Sequence, residues 1–348
     1  MNAAAFTLAI LGLHWCMCTN GDNSWTLKKL THKPRSLSQE RMKELSDLSN
    51  HDRLTKVELA PMLMPRVPGT AGNTKCQQHI ISRLQNLDWE IELDEFEENT
   101  PYGTKPFTNI IATWDPHAPR RLVLACHFDS KYFKDFEFIG ATDSAVPCAM
   151  ILDLAYTLDK YLKKERKQAQ DVTLQLLFFD GEEAFRDWTD TDSIYGARHL
   201  SQAMKNRVHP MNNEDGTNLL HGIDMLVLLD LIGAANPRFS SYFDGTSKMF
   251  DRLIRIEKTL AKQDLLVSHS KTANQYFNTR RRGHNGIAED DHIPFMKKGV
   301  RVLHLIPMPF PDVWHTQSDD GHHVDHDTVD NLNKIMRVFV AEYLHLPV

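Results

Sequence analysis

Apolar residues along this chain fall either into short continuous runs or into stretches where they recur at helical spacing. Leu122–Cys126, Leu176–Phe179 and Met225–Leu229 are such runs, the second closing a strand read over Val172–Phe179, and Val300–Ile306 is a further apolar-rich strand interrupted by Arg301 and His304. Each has the length and make-up of a strand buried on both faces of a sheet. Between and beyond them, helical spacing predicts helices over Ala149–Leu162, Tyr195–Lys205 and Phe250–Ala261. A closing helix over Val329–Leu344 keeps Leu332, Ile335, Val338, Phe339 and Tyr343 in phase. Upstream, Gln39–Asn50 predicts a helix with Ser36 or Ser38 as its cap, Ser36 and Gln39 standing at capping-box spacing. Pro61–Gly72 holds three prolines and two glycines and reads as an extended loop before a helix over Asn73–Leu87. Glu90–Leu93 and Asn109–Trp114 read as strands, with Pro101–Pro106 as the turn between them. The alternation downstream argues for an α/β fold: a single domain with a largely parallel central mixed sheet and helices on both faces.

Composition narrows this little. A chain of 348 residues with 41% hydrophobic content buries a large core, and a formal net charge of −6 argues against nucleic acid as a partner. Ala3–Leu13, extended by Trp15, is apolar, too short to span a bilayer and placed like a signal-peptide core, although no Lys or Arg precedes it. Cleavage near Cys18–Asn20 is expected, so residues 1–19 read as a signal peptide, 20–37 as a mobile basic arm and 38–348 as the catalytic domain. A secreted chain without stable membrane association follows. Of the cysteines left after cleavage, Cys76 falls on an amphipathic helix, while Cys126 and Cys148 flank a loop between two candidate site segments and are the expected pair. No Asn-x-Ser/Thr sequon is present. Arg280-Arg281-Arg282 reads as a solvated loop.

Chemistry gathers where the strands stop. Leu122–Cys126 runs into His127 and Asp129, Val172–Phe179 into Asp180-Gly181-Glu182-Glu183, Met225–Leu229 into Asp230, and Val300–Ile306 toward His315. Asp143 lies in the loop before the Ala149 helix. Ligands of open α/β sheets bind beyond the carboxyl ends of the strands. Asp, Glu and His together suit Zn²⁺ with an open position. Adjacent glutamates diverge, so one can bind the metal while the other moves protons. Taken singly, Asp-Gly is an ordinary turn, Asp143 a helix cap and His315 a loop histidine; together, at successive strand ends, those readings fail.

These segments resemble the zinc-dependent aminopeptidase clan with co-catalytic metals and, within it, the animal glutaminyl cyclases. The carriers are Ala125–Phe133 (ACHFDSKYF), Gly140–Cys148 (GATDSAVPC), Phe178–Phe185 (FFDGEEAF), Leu228–Ala234 (LLDLIGA), Asp290–Phe295 (DDHIPF) and Val313–Thr316 (VWHT), and the likeness spans Ser38 to the carboxyl terminus. It implies one zinc per chain held by Asp143, Glu183 and His315, with Glu182 as the proton-shuttling acid/base. Asp230 and Asp290 would form a hydrogen-bonded pair steering the substrate. Trp188, Trp314 and Phe310 would wall the glutaminyl pocket, supported by His304. Cys126 and Cys148 match the family's disulfide. The implied substrates are peptides or proteins with amino-terminal glutamine, cyclised to pyroglutamate with loss of ammonia by a monomeric enzyme. The competing reading is a two-metal aminopeptidase, in which His127 and Asp230 bind a second ion and Asp143 bridges. Trp314 and the Trp188 segment would crowd the space its peptide bond and water require. A binding protein on a retired peptidase fold ranks last, because every ligand and the acid/base are present.

Overall fold

The computed structural model describes residues 24–165, 171–211, 216–272, 275–279 and 288–348. The expected signal peptide and Arg280-Arg281-Arg282 lie outside them. Six strands form one sheet: β1 (Glu90–Thr100), β2 (Gly103–Thr113), β3 (Arg120–His127), β4 (Val172–Phe179), β5 (Ile223–Leu229) and β6 (Val302–Leu305). Their order is β1-β2-β4-β3-β5-β6, with β4, β3, β5 and β6 parallel and β2 antiparallel to both neighbours. This is the α/β mixed sheet the sequence predicts.

The continuous apolar runs fill two cores at once, because alternate side chains of a strand face opposite ways. Leu122, Leu124 and Cys126 of β3 join Leu174, Leu176 and Phe178 of β4 on one face. There they pack beneath the helices α4 (Val146–Glu165) and α8 (His326–Leu344), the earlier α-helices among the described residues being α1 (Ser24–Thr31), α2 (Gln39–Ser46) and α3 (Ala71–Gln85). Val123, Ala125, Leu177 and Phe179 face the other way, toward α5 (Tyr195–Asn206) and Phe295 of the short helix α7 (His292–Met296). A further helix, α6 (Ser247–Lys262), adds Phe250, Leu253, Ile256 and Leu260 to the larger core. No helix among the described residues is long and apolar enough to cross a membrane.

Three expectations change. The turn read over Pro101–Pro106 shrinks to Pro101-Tyr102, because Thr100 pairs with Gly103 and both strands run on past it. Pro106 sits inside β2 opposite Glu97; β2 meets β4 only over Ile110–Thr113, so at Pro106 it has a neighbour on one side alone and a missing N–H is tolerated. The helix read over Gln39–Asn50 closes at Ser46 and is capped by Ser38, whose Oγ accepts from Arg41 N, not by Ser36.

The third is the arm. Its described part opens with a helix, Ser24–Thr31, and docks. Lys28 Nζ reaches Asp171, Lys29 Nζ reaches the carbonyls of His221 and Ile223, and His32 Nε2 meets Tyr343 O at 2.8 Å. Polar anchors hold it, while Leu27 and Leu30 stay exposed. Hydrophobic patterning therefore carries no signal of its docking.

Candidate active site

Glu182 and Glu183 are placed by a turn fastened on every side. Gly181, at φ 70°, turns the chain directly after β4; a Cβ there would stand 2.4 Å from the Phe107 ring. Asp180 accepts from Asn73 Nδ2 at 2.8 Å and from Thr108 N at 2.9 Å. The first N–H groups of α5, which have no partner within their own helix, are taken up here: Ile194 N donates to Glu182 O, Tyr195 N to Gly181 O and Gly196 N to Asp180 O. Asp129, just past β3, accepts from the backbone N–H of Glu182 and of Glu183, at 3.1 and 3.3 Å. One buried carboxylate thus sets both glutamates.

The remaining groups come from three other loops. Asp143 and Ser144 lie in the turn Ala141–Ala145, with φ of −119° and −131°, outside helical values. Gly140 starts that turn at φ 60°, where a Cβ would lie 2.2 Å from Asp143 O. Asp319 holds the turn from outside, accepting from Thr142 N at 2.8 Å and, through its carbonyl, from Ala141 N. Asp230 follows β5, and His315 ends the Trp314-bearing loop after β6. Leu231 and His315 both adopt positive φ, 54° and 55°, uncommon for residues other than glycine.

Asp143, Glu183 and His315 converge, their donor atoms within 4.8 Å of one another. His315 Nε2 is 3.4 Å from Asp143 Oδ2 and 3.3 Å from Glu183 Oε1. Glu183 Oε1 is buried without a hydrogen-bond partner. A buried oxygen facing an imidazole and a second carboxylate at this separation is a donor set that could hold a metal ion. A second cluster, His127, Asp143 and Asp230, shares Asp143, but its donors already satisfy one another. His127 Nε2 bonds Asp143 Oδ1 at 3.0 Å and lies 3.3 Å from Asp230 Oδ1. Asp230 Oδ1 also accepts from Ser144 Oγ and from Leu231 N.

Electrostatics divide the acids. Burial pushes the Glu182 carboxyl well above its ordinary value, and Glu183, Asp290 and Asp291 add to that against the pull of His127. Glu183 is raised by burial and by Asp143. Asp143 moves the other way: burial opposes ionisation, yet His127 and His315 hold its carboxyl below the usual range. Burial works against a charge on His315, but Asp143 and Glu183 push it up to about 9.

Glu182, Glu183, Trp188, Asp230, Phe310 and Trp314 line a cleft of about 550 Å³ over this cluster. Trp314 stacks on the His315 ring, 4.1 Å between centroids, and meets Phe310 edge-on. Trp188 donates from Nε1 to Glu289 at 2.8 Å. Trp188 and Trp314 are 40% and 39% exposed, placed as walls of the cleft and not in the core.

Asp290 and His304, expected at the pocket, lie behind it. His304 Nε2 bonds Asp290 Oδ2 at 2.6 Å, and Asp290 Oδ1 accepts from Asp291 N. Among the described residues no hydrogen bond joins Asp230 to Asp290, because each carboxylate is engaged elsewhere; Asp230 feels Asp290 as a repelling charge, second to burial in raising its carboxyl. The Sγ atoms of Cys126 and Cys148, both buried, stand 2.8 Å apart. Lys131, whose Nζ stands 3.4 Å from Glu183 Oε2 and donates to Ala184 O at 2.9 Å, has no role in the sequence reading, nor have Ser144 and Asp319, and Asp129 is named there only as a strand-end residue. The only signal available was their nearness in sequence to assigned residues.

Residues 109–340 match peptidase family M28. The chain is 48% identical over 351 residues to the glutaminyl-peptide cyclotransferase of Bos taurus, covering 99% of this chain and 95% of that one. It is 47% identical to that of Boiga irregularis, covering 92% and 89%. The crystal structure of Macrostomum lignano glutaminyl cyclase superposes with a TM-score of 0.82 at 38% identity, over 91% of this chain and 96% of that one.

Proposed function

We infer that this chain, which belongs to peptidase family M28 and to the glutaminyl-peptide cyclotransferases within it, converts the amino-terminal glutamine of peptides and proteins into pyroglutamate with release of ammonia. The observation that carries the site reading is the division of labour between adjacent glutamates. Glu183 faces Asp143 and His315 with an unpartnered oxygen, while Glu182 lies outside that triad with its carboxyl raised.

Asp143, Glu183 and His315 would hold one zinc ion, which when bound supplies Lewis acidity to the γ-carbonyl oxygen of the substrate. The α-amine is the nucleophile, a five-membered ring away from that carbonyl. Glu182 accepts a proton from the amine as the N–C bond forms and returns it to the departing nitrogen as the C–N bond breaks, so ammonia leaves. Burial suits it to this exchange, since a raised carboxyl gives and takes protons nearer neutral pH. Asp230 faces the cleft and orients the amine; Asp290, bonded to His304 behind it, adds the negative potential that Asp230 feels. Trp188, Phe310 and Trp314 hold the flexible glutaminyl side chain folded back, the conformation cyclisation requires. We further propose that the enzyme acts as a monomer. We also propose that the chain is secreted and that Cys126 and Cys148, already in contact, bridge in an oxidising compartment.

The two-metal aminopeptidase reading rests on the second cluster and separates cleanly by product. Given Gln-Phe-Ala, a cyclase releases ammonia and leaves a peptide about one NH₃ lighter with no free amine; given Leu-Phe-Ala, it does nothing. Released leucine beside unmodified Gln-Phe-Ala in the mass spectrum would overturn the proposal.

A further inference from the structure

The amino ends of the same strands border a cleft that the reaction does not use. On the α5 face of the sheet, Ile111, Val123, Ala125, Leu177 and Phe179 form an apolar layer against Leu200 and Met204. One step toward the start of the parallel strands, that face turns polar. Thr113 pairs with Gln175, Gln175 pairs with Val123, and Arg121 lies two residues before Val123, so strand alternation keeps all three polar residues on the α5 side. With Arg207 and His209 they line a cleft of about 440 Å³.

Arg120 and Arg121, neighbours in β3, show what the fold does with a buried guanidinium. Arg120 points to the opposite face, where Asp224 receives it through both carboxylate oxygens. Arg121 is equally buried, 5% exposed, and meets no carboxylate among the described residues. Its Nε has no partner, and its one hydrogen bond runs from Nη1 to His209 Nε2 at 2.9 Å. That bond is contested: His209 Nε2 also stands 2.8 Å from Pro119 O. A ring nitrogen that donates to the carbonyl has no lone pair left for the guanidinium. Burial and the Arg121 charge push His209 down to about 4, so the ring is neutral and cannot serve both. Beside it, Gln175 Nε2 donates to Thr113 Oγ1 while Gln175 Oε1 is buried with no partner. The other charges along the cleft are answered or solvated: Arg207 pairs with Glu92, Asp94 accepts from Asn109 and meets His199, and Glu90 is exposed.

An unpaired buried cation beside an unpaired buried acceptor asks for one ligand carrying both anionic oxygens and a hydrogen-bond donor. Carboxylate and sulfate supply acceptors alone. A phosphate bearing one proton supplies both. We propose that this cleft is a phosphate-binding site, in which Arg121 donates to the phosphate oxygens and the phosphate O–H donates to Gln175 Oε1.

Thermal unfolding of the metal-loaded protein tests this, with ionic strength held constant by chloride. Inorganic phosphate near 10 mM should raise Tm by about 2–4 °C, and sulfate by much less. Arg121→Gln should unfold no earlier than wild type without phosphate, lose the phosphate shift and keep kcat/KM on Gln-Phe-Ala; Arg121→Lys should keep part of the shift. Glycerol 2-phosphate separates the sources: a shift equal to that of inorganic phosphate marks a site for phosphate monoesters, and none marks a site for the free ion. No shift in wild type, an undiminished shift in Arg121→Gln, or equal shifts with sulfate would overturn the proposal. Should Arg121→Gln fail to fold, Gln175→Leu serves, since a full phosphate shift in that variant contradicts the assignment.

Discussion

At the carboxyl ends of β3, β4 and β5, Asp143, Glu182, Glu183 and Asp230 crowd around His127 and His315; at the amino ends of the same strands, one guanidinium stands without a carboxylate among the described residues. The first region has more acid than its two imidazoles and Lys131 neutralise, and the excess marks where a cation belongs. The second has the reverse excess. In both, the most informative atom is one without a hydrogen bond among the described residues, Glu183 Oε1 in one and Arg121 Nε in the other. A buried unpaired charge is expensive enough that a fold keeps it only where something else answers it. The unanswered sign therefore says more about the ligand than the lining as a whole does.

The acid-rich end breaks first if its ligand set is cut. Glu183→Gln should lose zinc and activity together, read by metal analysis of the purified variant beside its turnover. Glu182→Gln should retain zinc while kcat falls roughly 10²–10⁴-fold, the usual range for a positioned acid/base. Zinc lost from Glu182→Gln, with Glu183→Gln still active, would reverse the two roles.

A subtler effect is the pH dependence of zinc binding. Asp143 and Glu183 outweigh burial and hold the His315 proton up to about 9, and a ligand imidazole must give that proton up. Below about pH 9 the metal competes with it, so zinc affinity should fall as pH drops, by up to about tenfold per unit, and level off above. Competition against a chelator of known affinity measures this. An affinity flat across neutral pH would mean that His315 is not a ligand.

The smallest expected change belongs to the cysteines between the two ends. In protein from an oxidising compartment, replacing Cys126 and Cys148 with Ala should remove about 2–4 kcal/mol of stability and lower Tm, with turnover nearly unchanged, since neither sulfur lines the cleft. Unaltered Tm would show that no bridge forms.

Much of the acid-rich end is legible in sequence, because continuous apolar runs fix where strands stop and the chemistry begins on the next residues. The triad needed more than pattern: Asp143, Glu183 and His315 are far apart in the chain and were joined through resemblance. What holds them was not legible. Asp129 acts through two backbone N–H groups and Asp319 through another, and such contacts leave no mark in residue spacing. The hairpin turn was misplaced because proline reads as a breaker wherever it stands, whereas its effect depends on whether the strand has a second neighbour. Arg121 was missed for a related reason. The apolar run of β3 starts at Leu122, so a polar residue on a buried rung passes for a strand boundary.

The stacking of Trp314 on His315 has an optical consequence. A protonated imidazole against an indole accepts its excited electron and dims its emission, whereas a metal-bound imidazole has given up the proton. With 4.1 Å between the rings, Trp314 should brighten as zinc loads. The wall of the pocket thereby becomes a fluorescent gauge of metal occupancy, readable during turnover without any added dye.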